Sequence, residues 1–188
     1  VDNSVKLSKD SDGYYLINSA ADLAQINKEP GGNYRLNANI SAADTASVAA
    51  FSGNFDGNDR TISGLTAPLF TTLEKSGTVR NLTLNQVAIQ SGSSNVGAVA
   101  GTGTGTVESV SVSGTVSGAG SVGGIVGQMM NPGKIVRCTV QASVSGTGAK
   151  VGGVVGDSDG LVDSCYANVQ VSGAQNVGGI VGWCHSDK

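Results

Sequence analysis

The sequence predicts an all-β protein, a right-handed parallel β-solenoid whose N-terminal end is capped by a short helix. Three observations predict this fold class: a glycine-rich heptapeptide that recurs, a second apolar segment that recurs between its copies, and β-type rather than helical spacing within both. Gly is abundant, at 29 of 188 residues, and only 4% of residues are aromatic. Small side chains suit the narrow interior of a solenoid, and right-handedness follows from the general preference of parallel crossovers.

The heptapeptide defines the repeat. It occurs in four close variants: NVGAVAG at 95–101, SVGGIVG at 121–127, KVGGVVG at 150–156 and NVGGIVG at 176–182. The second residue of each copy is valine, and successive valines lie 26, 29 and 26 residues apart. We therefore expect each unit of roughly 26–30 residues to form one coil, with strands of successive coils stacked in parallel about 4.8 Å apart.

A second segment recurs between the heptapeptides. It reads TVESVSVSGTVSG from Thr106, KIVRCTVQASVSG from Lys134 and LVDSCYANVQVSG from Leu161. Alignment of the three copies predicts four interior columns: Val107–Ile135–Val162, Val110–Cys138–Cys165, Val112–Val140–Ala167 and Val116–Val144–Val171. These columns would be the ladders that fill the solenoid.

The region before the heptapeptides repeats less clearly. Residues 67–84 carry a degenerate copy of the unit, and NYRLNANI at Asn33–Ile40 alternates apolar and polar residues as a half-buried strand does. The segment FDGNDRTISGL predicts an Asp-Gly turn followed by a short β run. We expect one domain over 1–188, with the cap and first coils in 1–66 and the regular repeats in 67–188, and we expect it to be part of a longer protein.

A short amphipathic helix is predicted within Asn18–Pro30. Ser19 followed three residues later by Asp22 resembles a capping box, Leu23 and Ile26 share one face, and proline ends the segment. This helix would cover the open strand edges of the first coil.

The glycines of the heptapeptides are predicted to be structural. They stand where the chain bends tightly and where coils pack closely. A phosphate-binding loop is not indicated, because each copy leads into a β segment rather than a helix. The glycines concerned are Gly97, Gly101, Gly123, Gly124, Gly127, Gly152, Gly153, Gly156, Gly178, Gly179 and Gly182.

The heptapeptides resemble the GLUG motif. The preceding run, from YLINSAADLAQI through FSGNFDGNDRTISGL to GTVRNLTL, resembles the segment found before GLUG repeats, so the resemblance covers roughly residues 14–183. Such regions occur in bacterial surface and secreted proteins, including the N-terminal parts of immunoglobulin-A1 protease-like zinc metalloproteases and filamentous-haemagglutinin-type adhesins.

The resemblance implies an extracellular or cell-surface module. It would be non-catalytic, and would either bind a host protein or glycan or serve as a rigid stalk beside neighbouring domains of a larger protein. An alternative is a substrate-recognition part of a secreted zinc metalloprotease. The zinc chemistry of such a protease cannot reside in this stretch, because an HExxH helix needs two histidines and the sequence has only His185, which we expect to be frayed.

Other enzymatic and metal sites are weakly indicated. Glu108 and Asp163 fall in one aligned column two coils apart, which leaves a polysaccharide-cleaving enzyme as a further alternative, although no aromatic platform accompanies them except Tyr166. Asp157 and Asp159 of the second DSDG segment, with Asp163, are weak calcium candidates, and an ordinary Asp-Gly turn is the default. No catalytic residue, resident metal or cofactor is predicted.

The cysteines are predicted to be free. Cys138 and Cys165 stack in adjacent coils, and the spacing of about 5 Å between neighbouring Cβ atoms in such a ladder exceeds the 3.5–4.5 Å that a disulfide prefers. Cys184, the third cysteine, falls outside this column.

The outward-facing positions supply the binding candidates. They are Arg137, Gln141, Tyr166 and Asn168 on the strands, and Met129 and Met130 in a predicted loop, QMMNPG. A loop tucked against the coils is an equal alternative for the two methionines. The net charge of −3 argues against nucleic acid, which selects a basic face. No apolar run reaches the roughly 18 residues of a membrane span.

Overall fold

The computed structural model describes residues 4–185 as a parallel β-solenoid with one short helix near its N-terminal end, which confirms the predicted fold class. The helix α1 (Ala20–Leu23) continues into a 3₁₀ segment (Ala24–Lys28). In chain order the strands are β1 (Tyr15–Ile17), β2 (Asn33–Leu36), β3 (Ile40–Ser41), β4 (Val48–Phe51), β5 (Asn54–Ser63), β6 (Phe70–Leu73), β7 (Thr78–Gln90), β8 (Asn95–Val96), β9 (Ala100–Gly103), β10 (Thr106–Gly118), β11 (Ser121–Gly123), β12 (Val126–Met129), β13 (Lys134–Val136), β14 (Thr139–Gly146), β15 (Lys150–Gly152), β16 (Val155–Ser158), β17 (Leu161–Asp163), β18 (Tyr166–Ala167), β19 (Gln170–Ser172), β20 (Val177–Gly178) and β21 (Val181–Cys184).

These strands form three sheets that run along the stack of coils. The main sheet has 11 strands and follows the path β1-β2-β5-β7-β10-β13-β17, with β3, β14, β18 and β19 beside it. The second sheet has 6 strands, from β4 to β21, and the third has 4, from β8 to β20. A complete coil passes from the main sheet to the third, then to the second, and back, as in β10, β11, β12 and β13.

The register of strand pairing reproduces the columns that the sequence predicts. The four heptapeptide valines pair in turn along the third sheet, and the apolar positions of the second segment pair along the main sheet. The pairs include Val96–Val122, Val122–Val151 and Val151–Val177 in the third sheet, and Val107–Ile135, Ile135–Val162, Val112–Val140, Val140–Ala167, Val116–Val144 and Val144–Val171 in the main sheet. Inward ladders of like residues therefore fill the C-terminal coils.

The helical segment covers an exposed sheet edge, as the sequence predicts. Its apolar residues Leu23 and Ile26 are buried, and the Asp22 carboxylate accepts a hydrogen bond of 3.0 Å from the backbone N–H of Ser19. The 3₁₀ segment packs against β4, the edge strand at the N-terminal end of the second sheet. Asn27 there accepts a 3.0 Å hydrogen bond from the N–H of Ala49, a strand-edge donor that would otherwise face solvent.

A network of charged side chains lies across the first coils. Arg35 contacts the Asp10 carboxylate at 2.6 Å and the Asp56 carboxylate at 3.5 Å, and Arg80 reaches Asp56 from the other side at 3.3 Å. The Arg35 guanidinium also stacks on the Tyr14 ring, 4.1 Å from its centroid. These contacts join the N-terminal segment to three successive strands of the main sheet.

The main sheet bends at residues with left-handed backbone conformation. Asn81, Ser109, Arg137 and Ser164 all have φ of 53–54°, and each directly precedes a residue of the Leu82–Val110–Cys138–Cys165 column. In β5 the expected Asp-Gly turn is wrong: Asp56 and Gly57 lie within the strand. Asn58 and Asp59 have positive φ there, and the register with β7 shifts between Asp56 and Arg60, so the feature is a bulge.

Candidate functional site

Three of the predicted binding residues, Gln141, Tyr166 and Asn168, lie together on the outer face of the main sheet, at its C-terminal end. Thr139 pairs with Tyr166 and Ser143 with Gln170, while the N–H of Asn168 donates to the carbonyl of Val140 at 2.8 Å. Because side chains alternate along a strand, two parallel rows point outward together. We call these six residues the polar face: Thr139, Gln141 and Ser143 in one coil, and Tyr166, Asn168 and Gln170 in the next.

A groove of about 560 Å³ runs over the polar face. Four of its lining residues, Gln141, Ser143, Asn168 and Gln170, are polar, and Tyr166 stands beside it with 60% of its surface exposed. Amide groups offer both donors and acceptors, and a tyrosine ring offers an apolar surface with a polar end. The groove therefore has the chemistry to hold a polar, hydroxyl-rich ligand against an aromatic ring.

A bulge in the preceding coil forms one wall of this groove. Gly114 of β10 has φ of +123°, and a Cβ built there would lie 2.5 Å from the backbone nitrogen of Val87, so only glycine fits. Next to it, Ser113 donates to the Asn85 side chain at 2.8 Å and accepts from the N–H of Gln86 at 3.2 Å. The groove is thus supported by a hydrogen-bonded irregularity that the sequence repeat does not reveal.

Arg137, another predicted binding residue, is engaged within the chain. Its guanidinium forms an ion pair with the carboxylate of Glu108 in the adjacent coil. The register does place Glu108, Val136 and Asp163 in one column, as the alignment predicts. The Arg137 guanidinium holds the Glu108 carboxylate, so Glu108 and Asp163 are not a matched pair of free carboxyl groups.

The prediction for Met129 is wrong. Met129 ends β12 and is fully buried, so it offers no contact surface. It fills space left by glycines of the neighbouring coils, with its methyl carbon 3.3 Å from the position that a Cβ of Gly103 would take. Met130 follows in the turn and is 37% exposed.

A second polar cluster, which the sequence analysis missed, lies on the outer face of the second sheet. Asp157 is almost fully covered, with 4% of its side chain exposed, and its carboxylate contacts Lys150 at 2.7 Å, Gln128 at 3.2 Å and His185 at 3.1 Å. Trp183 lies beside it, 43% exposed. The expectation of a frayed His185 is wrong, because the backbone N–H of His185 also donates to the carbonyl of Ser158 at 3.1 Å.

The weak calcium candidates are not brought into one site. Asp157 belongs to the second sheet and is neutralised by Lys150, whereas Asp163 lies on the main sheet. Within residues 4–185, no group of three or more His, Cys, Asp or Glu side chains is arranged to hold a metal ion. In the same range, no helix has the length and apolar character to cross a membrane.

Cys138 and Cys165 meet inside the main sheet. Cys138 is buried and Cys165 is half-buried, and neither forms a disulfide. The interaction with the neighbouring Cys165 thiol, with burial added, raises the pKa of Cys138. The same interaction lowers the pKa of Cys165, although burial opposes this. Cys165 is therefore the thiol of the pair that ionises first.

The heptapeptide glycines lie where backbones approach closely. A Cβ on Gly123 would lie 2.6 Å from the Cα of Val155 in the next coil, and one on Gly127 would lie 2.7 Å from the carbonyl oxygen of Gly101 in the previous coil. Their φ values do not fall in the left-handed region. Close packing between coils, rather than backbone freedom, is what requires glycine at these two positions.

The family comparison identifies the type of module. Residues 6–114 match the family model described as the M26 IgA1-specific metallo-endopeptidase N-terminal region. Halomucin from Haloquadratum walsbyi is 36% identical over 146 residues, which cover 63% of this chain and 2% of halomucin.

Two solved structures share the fold. A crystal structure of a candidate immunoglobulin A1 protease from Bacteroides ovatus has a TM-score of 0.83 and 24% identity, covering 98% of this chain and 66% of that one. A structure named IgA1 Protease has a TM-score of 0.73 and 23% identity, covering 90% of this chain and 16% of that one. The chain therefore spans only part of the length of the relatives it matches.

Proposed function

The chain belongs to the M26 IgA1-specific metallo-endopeptidase N-terminal region family, and from this we propose that it is a non-catalytic extracellular module of a larger bacterial surface protein, acting as a rigid support that binds a glycan through the polar face. The groove over that face, with Tyr166 at its side, is the observation that carries the proposal. Chains of the family continue beyond this region, so the module would work beside neighbouring domains.

The distribution of apolar and polar residues supports an outward-binding role. The interior of the coils is filled by Val, Ile, Leu and Phe side chains, which leaves recognition to the outer faces. Parallel coils hold each outer residue at a fixed spacing, so a series of side chains can meet a series of ligand groups without reordering.

The chemistry of the polar face favours a glycan over a flat protein surface. Sugar hydroxyl groups both donate and accept hydrogen bonds, and Gln141, Asn168 and Gln170 supply matching amide groups. Sugar rings also present an apolar face of C–H groups, for which the exposed Tyr166 ring is a suitable partner. None of these four side chains is charged, which suits a neutral ligand.

A binding experiment with matched variants tests this role. The chain is applied to a panel of immobilised neutral and acidic oligosaccharides, and Tyr166→Ala is compared with Lys75→Ala, an exposed substitution in the turn after β6. We expect wild-type binding to a neutral oligosaccharide that falls about tenfold or more in Tyr166→Ala and is unchanged in Lys75→Ala. Equal binding by wild type and Tyr166→Ala, or binding to no oligosaccharide at all, would rule out the glycan role.

A second role, recognition of a protease substrate, is favoured by the family match itself. In that case the chain would bind intact immunoglobulin A1 without cleaving it, and Tyr166→Ala would weaken that binding while oligosaccharides fail to compete. Lack of binding to both the oligosaccharide panel and immunoglobulin A1 would leave the rigid support as the remaining role.

A further inference from the structure

We propose that the ligand of the polar face is a straight, neutral polysaccharide chain that runs along the solenoid axis across several successive coils. This proposal rests on the proposed function, and it adds the class of the ligand and its orientation. It is carried by an uncharged surface that extends beyond the polar face, by the hydrogen-bonding groups on that surface, and by two grooves that open along it.

The outer face of the main sheet is divided by charge. Before the bend of this sheet, the outward positions carry charged residues: Asp56 pairs in register with Arg80, and Arg80 with Glu108. After the bend, outward side chains alternate with buried apolar ones such as Leu84 and Val112, and none of the outward ones is charged. We call this uncharged part the neutral limb; its outward residues are Thr83, Asn85, Gln86, Ala88 and Gln90 in β7, Ser111, Ser113, Thr115 and Ser117 in β10, Thr139, Gln141, Ser143 and Ser145 in β14, and Tyr166, Asn168, Gln170 and Ser172 in the next coil.

The neutral limb runs parallel to the axis, and the polar face is one part of it. Its columns pair in register from coil to coil, as in Gln90–Ser117, Ser117–Ser145 and Ser145–Ser172. Equivalent side chains in successive coils lie about 4.8 Å apart, which is similar to the length of one pyranose unit in an extended chain. A polysaccharide that follows the axis can therefore present about one sugar unit to each coil.

Most side chains of the neutral limb are available for a ligand. Within residues 4–185, the only ones that form hydrogen bonds to other protein groups are those of Asn85, Ser113 and Ser117. The remaining hydroxyl and amide groups can both donate and accept, as sugar hydroxyl groups do. Because paired strands hold these residues in place, binding does not have to order the backbone beneath them.

Two grooves open on this surface. The groove of about 560 Å³ lies over the polar face, and a second groove of about 540 Å³ follows the corner where the neutral limb ends. Gln90, Ser117 and Ser145 line the second groove together with Gly118 and Gly146. A Cβ on either glycine would lie 2.7 Å from a valine methyl group, so the chain is drawn against the interior at this corner. The corner groove passes from coil to coil, and it therefore has the direction of the axis.

The charge and the shape of this surface select the ligand. Neither groove is lined by a charged residue, so an acidic polysaccharide would lose water from its charges without gaining a partner. The columns are straight, so a chain that curves at each linkage would leave the surface after a few units. A neutral chain with extended β linkages keeps contact with successive coils.

The dependence of binding on chain length tests the proposal. Di-, tetra- and hexasaccharides of β-linked glucose, mannose and N-acetylglucosamine are titrated into the chain by calorimetry, beside the same lengths of α-linked glucose, whose chains curve. We expect at least one β-linked series to bind, with the hexasaccharide about tenfold or more tighter than the disaccharide. The α-linked series should gain less with length.

A double variant far from Tyr166 separates an axial chain from one that crosses the strands. Gln90→Ala with Ser117→Ala changes two paired residues in coils that precede the polar face. A chain that crosses the strands at Tyr166 would not reach them. We expect the affinity for the hexasaccharide to fall about fivefold or more, as two hydrogen bonds are lost, and the affinity for the disaccharide to stay unchanged. Lys75→Ala, the exposed control, should change neither.

The outcomes distinguish this proposal from the glycan role itself. The axial chain is overturned if no β-linked series binds, if the hexasaccharide binds no better than the disaccharide, or if the double variant keeps the wild-type affinity for the hexasaccharide. Disaccharide binding that is lost in Tyr166→Ala but gains nothing from length would overturn the axial chain and leave the glycan role standing. Disaccharide binding that is unchanged in Tyr166→Ala would overturn the glycan role of the polar face.

Discussion

The N-terminal and C-terminal halves of the solenoid fill the same cross-section in different ways. The N-terminal half is packed with rings: Phe51 stacks on Phe70 with centroids 4.6 Å apart, and Phe55 meets both edge-on. All of the buried aromatic side chains lie between Tyr34 and Phe70. Beyond that point the interior is filled mainly by valine.

This contrast shows two ways to stabilise stacked coils. In the N-terminal half, side-chain volume differs from coil to coil. Each aromatic ring therefore packs against its own set of neighbours, which do not recur in the next coil. In the C-terminal half, like residues stack on like, and stability is spread over many small contacts between adjacent coils. Loss of one side chain should therefore cost more in the first arrangement than in the second.

The largest expected effect comes from loss of a ring in the N-terminal half. Phe51→Ala should lower the free energy of unfolding by about 3–5 kcal/mol, because it leaves a cavity among Tyr34, Phe55 and Phe70. Val144→Ala, at a buried position of the C-terminal half, removes two carbons and should cost roughly 1.5–2.5 kcal/mol. Urea unfolding followed by circular dichroism compares the two, and equal losses would contradict the distinction between the halves.

Added volume should distinguish two glycines within the C-terminal half. Gly123→Ala places a Cβ 2.6 Å from the Cα of Val155 and should cost about 1–3 kcal/mol, since backbone rather than a flexible side chain must move. Gly179→Ala belongs to the same heptapeptide pattern but meets nothing within 4 Å, and its effect should stay within about 0.5 kcal/mol. The urea midpoints of the two variants decide the matter; similar values would mean that glycine is not needed there for close packing.

The C-terminal half could be predicted from sequence in detail because its residues repeat. A column such as Val96–Val122–Val151–Val177 follows from spacing alone, and the strands pair in that register. The N-terminal charge network could not be found in this way. Arg35 meets Asp10 and Asp56 through one particular path of the chain, and neither spacing nor composition indicates that contact.

The sequence predicts only part of the candidate site. The outward alternation places Tyr166 and Asn168 on one face, and the structure adds the groove that the Gly114 bulge shapes. Met129 looked like a loop residue because its burial depends on glycines that lie far away in sequence. The contacts of Asp157 with Gln128 and His185 join three different coils, so no local pattern could indicate them.

Acid should weaken the N-terminal half selectively. Burial opposes ionisation of Asp56, but hydrogen bonds from the N–H of Asn58 and from Asn81, with the charges of Arg80 and Arg35, outweigh it and lower its pKa. The pKa of Asp10 is lowered as well: burial again opposes ionisation, and hydrogen bonds from the N–H groups of Tyr14 and Asp12 and the Arg35 charge outweigh it.

Since these folded-state pKa values lie below the unfolded value of 3.8, the unfolded chain binds protons more tightly. Their stabilising contribution is therefore fully present above about pH 4 and is lost as the pH falls through the folded-state pKa values. Urea unfolding at a series of pH values, compared between wild type and Asp56→Asn, should show a shallower acid loss in the variant. An identical pH dependence would mean that Asp56 does not contribute to it.

The smallest effect concerns the cap. Asp22→Ala removes the acceptor for the N–H groups of Asn18 and Ser19, and should cost about 0.5–1 kcal/mol. Asp22→Asn keeps an acceptor oxygen and should lose less, which separates the hydrogen bonds from a general effect of substitution. Amide hydrogen exchange in α1 and β4 gives the local measurement. Because the 3₁₀ segment covers β4, faster exchange should extend from the helix into that strand but not reach β21 at the other end of the same sheet; faster exchange at both ends would mean that the cap stabilises the whole stack rather than its first coils.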